Sequence, residues 1–160
     1  MKSILFILLV VLTSISTTAQ DWHEAMLSNF KMHSPLLGDT QDDTWQACDI
    51  SLNLNNSKVL IKNKKSEDIE IFSLINYKDT DVEINSKLNV KYSLATYTAK
   101  SLPIQDSQPC LIGIKRATTL DKDKATTVYN NDIVSISVMC NTPENGGWVA
   151  YSYFFISPFK

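Results

Sequence analysis

Two apolar runs near the C-terminus form the clearest pattern in the sequence. Residues 133–140 read Ile-Val-Ser-Ile-Ser-Val-Met-Cys, and residues 148–156 read Trp-Val-Ala-Tyr-Ser-Tyr-Phe-Phe-Ile. β-Branched and aromatic side chains fit a pleated surface, and the Asn, Pro and Gly of residues 141–147 suit a chain reversal. The pattern predicts an antiparallel hairpin at the centre of a mainly β domain.

Strict alternation assigns the side chains of this hairpin to two faces. In the first run, Ile133 falls on the face opposite to Ile136. In the second run, one face carries Val149, Tyr151, Tyr153 and Phe155, and the other carries Trp148, Ala150, Ser152, Phe154 and Ile156. Aromatic rings on both faces predict a central strand that is covered on both sides, with an N-terminal helix on one of them.

A helix is predicted before the first strand. Asp21 can cap its first turn, with Glu24 three residues later, as in a capping box. Ser34 should end it, because a residue before proline avoids the helical region. Six residues recur at helical spacing, namely Trp22, Ala25, Met26, Asn29, Phe30 and His33. We therefore expect one short amphipathic helix at the start of the domain.

From Trp45 onward the period of the pattern changes to two. Short segments of alternating apolar and polar residues are separated by turns rich in Asn, Asp, Lys and Ser. About eight such strands without interleaved helices predict a single antiparallel β-sandwich or β-barrel and disfavour a parallel sheet. The length of 160 residues fits one domain, which we place at residues 20–160.

Residues 1–19 have the pattern of a signal peptide. Lys2 supplies a positive charge, residues 4–12 are nine consecutive apolar residues, and Ala19 is a small residue suited to cleavage. A membrane-spanning helix needs about 20 apolar residues. We expect cleavage after Ala19, no stable membrane anchor afterwards, and export to the periplasm or out of the cell.

The three cysteines allow more than one interpretation. Export permits a disulfide, and any single bridge leaves one thiol over. Cys110 opens one predicted strand and Cys140 closes another, which favours that pair. The alternative is that Cys48, Cys110 and Cys140 are all small buried hydrophobic residues.

Charge and motifs exclude several classes of function. The net charge is −2, no basic block exists, and Arg116 is the only arginine, so we expect no nucleic-acid partner. His23 and His33 lie ten residues apart, too far along one helix to share a metal ion. No common metalloprotease, hydrolase, phosphate-binding or dinucleotide-binding motif is present. We predict no catalytic residue, no metal site and no cofactor.

In outline, an exported β-rich chain of this size with a preceding short helix resembles lipocalin-like barrels. The Gly-x-Trp signature of that family is missing, since Asp43 and Thr44 precede Trp45. We therefore assign no family.

Our first functional interpretation is a non-enzymatic exported binding protein of the inhibitor or immunity type. Its partner would be a toxin, an enzyme or a surface component, bound through a loop such as 101–108 or 142–147. The alternative is a carrier of a small apolar ligand, because a barrel of about eight strands can hold one. An enzyme with an unrecognised site is a third reading. The candidate ligand or partner surface consists of Trp22, Phe30, Tyr151, Tyr153, Pro143, Asn145 and Trp148.

Overall fold

The C-terminal hairpin lies within one antiparallel sheet. The structure, a computed structural model, describes residues 21–102, 109–142 and 146–160. Those ranges contain nine strands, a single 3-10 turn at Lys122–Lys124 and no α-helix. The strands are β1 (His23–Ser34), β2 (Gly38–Asp42), β3 (Gln46–Asn53), β4 (Lys58–Asn63), β5 (Ile69–Asn85), β6 (Val90–Leu102), β7 (Pro109–Thr119), β8 (Asn130–Asn141) and β9 (Trp148–Phe159). The mainly β prediction is confirmed.

From β3 to β9, each strand pairs with its neighbour in sequence. The strand order is β2-β1-β3-β4-β5-β6-β7-β8-β9, and β1 pairs with β9 as well. Strand β1 therefore has β2 and β3 along one edge and β9 along the other. This arrangement brings the first and last strands together and places β9 between β8 and β1.

The predicted N-terminal helix is wrong, because residues 23–34 form strand β1. Its pairing with β9 shifts register between Leu27 and Asn29. Ala25 and Leu27 pack into the core, and Phe30 lies opposite Tyr151. One inserted residue thus turns a spacing of two on the inward face into a spacing of three between Leu27 and Phe30. The residues at helical spacing divide between the two faces of β1, since Phe30 faces inward and Met26 lies opposite the exposed Phe154. Hydrogen bonds along both edges of β1 outweigh the weak local preference for a helix.

A similar irregularity in β8 makes the predicted assignment of Ile133 and Ile136 to opposite faces wrong. The pairing of β8 with β9 shifts between Ile133 and Ser135, and Ile133 and Ile136 are both buried in the same core. The expected cover on both sides of β9 is also wrong, since Phe154 is 50% exposed whereas Phe155 is 7% exposed. Strand β9 is central in its hydrogen bonding but buried on one face only.

The core lies on the inward face of the sheet. Its largest fully buried side chains are aliphatic and come from β3, β4, β7 and β8. Rings from β9 complete it, with Phe155 edge-on to Phe159 at 4.7 Å between centroids. His23 stacks on Phe159 at 3.5 Å, which extends the aromatic cluster to β1. The largest completely buried residues are Ile50, Ile112, Ile114, Ile133, Ile136, Val59 and Val138.

Cys110 and Cys140 occupy directly paired positions on β7 and β8. Their sulfur atoms lie 2.11 Å apart, at disulfide distance. Cys48 is free and buried. A disulfide-distance pair fits an oxidising compartment.

The predicted signal peptide, residues 1–19, lies outside the described residues. In the part of the chain that the structure covers, no helix is long and apolar enough to cross a membrane.

Candidate ligand-binding cavity

A cavity of about 170 Å³ lies on the inward face of the sheet, where β1, β3, β4, β5 and β9 meet. Its buried side is formed by Cys48, Ile61 and Tyr153, with Leu27 beside them. A second, more open depression of about 290 Å³ lies between the β3–β4 turn and the end of β9. The first cavity combines buried apolar walls with polar groups at its mouth.

Two tyrosines from β9 form one wall of the cavity. Tyr151 and Tyr153 both line it, and their ring centroids lie 6.3 Å apart with an interplanar angle of 28°. Burial is the largest cause of the raised pKa of each phenol, and the charge of Glu70 adds to it. Both hydroxyl groups therefore stay protonated at neutral pH and remain available as hydrogen-bond donors.

Glu70 places a carboxylate at the mouth of the cavity. It pairs with Ile61 across β4 and β5, and directly paired residues in antiparallel strands project from the same face. Because Ile61 is buried in the core, Glu70 shares the inward face. The residue itself is exposed, yet desolvation by the surrounding protein raises the pKa of its carboxyl, and the charge of Asp68 raises it further.

Cys48 contributes a thiol to the buried side of the cavity. Burial raises its pKa to about 11, and the charge of Asp49 acts in the same direction more weakly. At neutral pH the thiol is protonated and is a poor nucleophile. Its position suits a neutral lining group and a chemical reporter of cavity access.

The turn between β4 and β5 holds the mouth in place. The side-chain oxygen of Asn63 accepts hydrogen bonds from the backbone N–H groups of Lys65 and Ser66, at 2.8 and 3.2 Å. The backbone N–H of Asn63 donates to the carbonyl of Asp68 at 3.0 Å. These hydrogen bonds fix the backbone of Asn63 and Asp68, which both line the cavity.

The residues singled out from the sequence separate into distinct places. Phe30 does not line the cavity but packs against Tyr151, with ring centroids 5.3 Å apart. Trp148 stacks with His33 at the start of β9, at 6.0 Å. Trp22 is exposed beside His23, near the opposite end of β9 from Tyr151. Pro143 and Asn145 lie outside the described residues.

Sequence reasoning missed Glu70 as a site residue. By the spacing of two, Glu70 shares a face of β5 with Phe72 and Leu74, which are both buried. A charged residue therefore lies at the end of an apolar row. That break in the row was the available signal. Asp49, the acid next to Cys48 in sequence, instead pairs with Lys64 at 3.1 Å.

Within the described ranges, no group of three or more His, Cys, Asp or Glu side chains could hold a metal ion. Comparisons of the chain with known protein families, with curated protein sequences and with solved structures find no match.

Proposed function

We propose that this chain is an exported protein that binds a small molecule in the cavity beside Tyr151 and Tyr153. The observation that carries the proposal is a cavity of about 170 Å³ with buried apolar walls and convergent polar groups at one side. Ligand sites commonly combine these two features. An apolar cavity of about 150 Å³ holds a molecule the size of benzene, so the ligand or its buried part has that scale.

The sheet topology supports the same proposal. Pairing runs continuously from β3 to β9 and returns to β1, as in a closed barrel. Small barrels are filled by side chains or hold one ligand among them. The polar mouth modifies the expectation of a purely apolar ligand, because the carboxylate of Glu70 also lines the cavity.

We also propose that the chain is exported. Export is supported by the disulfide-distance pair of Cys110 and Cys140 and by the signal-peptide pattern of residues 1–19.

A fragment screen tests the cavity directly. Compounds of benzene size that differ in charge are assayed by thermal shift and by protection of Cys48 from a small thiol reagent. A true ligand raises the melting temperature by mass action and slows modification of Cys48. Leu27→Trp fills the cavity and should abolish both effects, whereas Phe154→Ala, on the outward face, should preserve them. If no compound in a broad panel protects Cys48, the proposal fails.

A second candidate is recognition of another protein along the edge of β5. Residues 75–85 of β5 pair with β6 only, within the described part of the chain. Ile75, Tyr77, Val82 and Ile84 on this segment are each more than half exposed. A long free edge with exposed apolar side chains can accept an added strand.

Charge indicates the chemistry of such a strand. Residues 75–85 carry three carboxylates and one lysine, so a strand that alternates apolar and basic residues is complementary. A peptide alternating valine with lysine should slow amide hydrogen exchange in residues 75–85, and one alternating valine with glutamate should not. Equal exchange with both peptides and without peptide would exclude this edge.

A further inference from the structure

Glu70 is an inward-facing carboxylate without a cation of its own. In the described residues its carboxylate forms no ion pair and no hydrogen bond. It lies on the same face of β5 as Phe72 and Leu74, at the start of that row, and both of those side chains are buried. The residue is exposed, yet the protein around its carboxyl partly desolvates the charge, and a cation nearby would favour the ionised form.

Two lysines that precede Glu70 in sequence are directed elsewhere. Lys64 binds Glu24 at 2.7 Å and Asp49 at 3.1 Å. Lys62 lies opposite Asp49 in the backbone register of β3 and β4. Because it follows the inward-facing Ile61, its side chain projects from the outer face. No Lys, Arg or His is among the described residues that line the cavity. The cavity therefore concentrates negative charge.

Asp68 strengthens this bias. It lines the same cavity, and its charge is the second cause of the raised pKa of Glu70. Two neighbouring carboxylates favour a cation between or beside them. Among the described residues here, no group of three or more His, Cys, Asp or Glu side chains could hold a metal ion.

The tyrosine wall suits an organic cation. The faces of Tyr151 and Tyr153 are electron-rich, and aromatic faces attract ammonium groups. Leu27, Ile61 and Cys48 form an apolar surface deeper in the cavity. A molecule with a cationic end at Glu70 and an apolar or aromatic body against these residues would satisfy both parts.

From this geometry we infer that the ligand of the cavity is a small organic amine, bound as its cation with Glu70 as counter-ion. The inference rests on the proposed small-molecule function and specifies its ligand class. The body of the amine has about the size of benzene. Glu70 and the two tyrosines are its recognition residues.

A matched pair of ligands tests the inference on the full mature protein. Benzylamine is a cation at neutral pH, and benzyl alcohol has nearly the same shape without charge. Calorimetry and protection of Cys48 are measured for both compounds with the wild-type protein, with Glu70→Gln and with Asp68→Asn. Near-ultraviolet circular dichroism verifies that each variant is folded.

The wild-type protein should bind benzylamine about tenfold or more tightly than benzyl alcohol, the scale of one charge-assisted hydrogen bond. Glu70→Gln should remove most of this preference, and Asp68→Asn should reduce it less. If both compounds bind equally, or if the preference survives in Glu70→Gln, the amine inference is overturned while the proposed function stands. If neither compound binds or protects Cys48, the amine inference fails. The broad panel described above then decides whether the cavity binds any small molecule.

Discussion

Ile61 and Glu70 lie directly opposite each other on β4 and β5, and both project to the inward face of the sheet. Ile61 is 5% exposed and belongs to the core. Glu70, at the end of the inward-facing row of β5, instead places a carboxylate at the mouth of the cavity. The change from apolar to acidic along one face marks where the core stops and the candidate site begins.

The position of Glu70 predicts a gain in stability when its charge is removed. Its pKa is raised from 4.5 in the folded protein, so the folded state binds the proton more tightly than the unfolded state. The protonated carboxyl thus contributes to the free energy of unfolding below its ordinary pKa, and this contribution is lost as pH rises through the raised pKa. Glu70→Gln should therefore increase the free energy of unfolding at neutral pH, by less than about 1 kcal/mol because the residue is exposed.

Urea unfolding at neutral pH and near pH 4 measures this effect, which should disappear at the lower pH. Glu67→Gln, in the exposed β4–β5 turn, serves as the control. A less stable Glu70→Gln protein at neutral pH would mean that the ionised carboxylate has a stabilising partner.

Two adjacent phenylalanines test the sidedness of β9. Phe155 is 7% exposed and contacts the ring of Phe159, and Phe154 is 50% exposed. Phe155→Ala should lower the free energy of unfolding by about 3–5 kcal/mol, since it leaves a cavity in the core. Phe154→Ala should cost less than about 1 kcal/mol. Similar losses from thermal or urea unfolding of the two variants would contradict the assigned face.

The pairing of Cys110 with Cys140 predicts a large effect of reduction. The two cysteines are 30 residues apart in sequence, and closing a loop of that length contributes about 3–4 kcal/mol through the unfolded state. The double variant Cys110→Ser/Cys140→Ser should lose that amount in urea unfolding. A reductant should destabilise the wild-type protein similarly and leave the double variant unchanged. No response of the wild-type protein to reductant would argue against the bridge.

Cys48 should react slowly in the folded protein. Its pKa is raised from 9.0 to about 11 by burial, so the thiolate fraction at neutral pH is about 100-fold below that of an unperturbed thiol. A thiol reagent should modify one site per chain in denaturant and modify it far more slowly in the native state. The native rate should rise with pH up to about 11. Cys48→Ala should show no modification in either condition, and rapid native labelling of the wild-type protein would place Cys48 outside the buried wall.

The fold was predictable where alternation was uninterrupted. Tyr151, Tyr153 and Phe155 fall on the inward face, as the spacing of two indicated. The spacing misled at β1 and at Ile133 because a register shift in each place changes which face the following residues occupy. Such an irregularity depends on the partner strand, and the local sequence carries no independent mark of it.

The candidate site was predictable only in part. Tyr151 and Tyr153 were identified as rings that either pack in the core or line a ligand surface; in the structure they pack against the core and line the cavity. Glu70 was not identified, because Ile69, Ile71 and Ile75 on the opposite face made β5 look apolar on both sides. Burial separates the two rows, since Phe72 and Leu74 are buried and Ile69 and Ile75 are exposed.

The sequence by itself determined that the chain is mainly β, that its C-terminal runs form a hairpin and that Cys110 and Cys140 are suited to pair. These features follow from residue type and short-range spacing, which act within a few residues. Only the tertiary structure decided that residues 23–34 are a strand, that β1 joins β9, and that Glu70 meets Tyr151 and Tyr153 at one cavity. Those outcomes depend on which distant strands share hydrogen bonds, because a neighbouring strand fixes both the register and the face of every side chain along it.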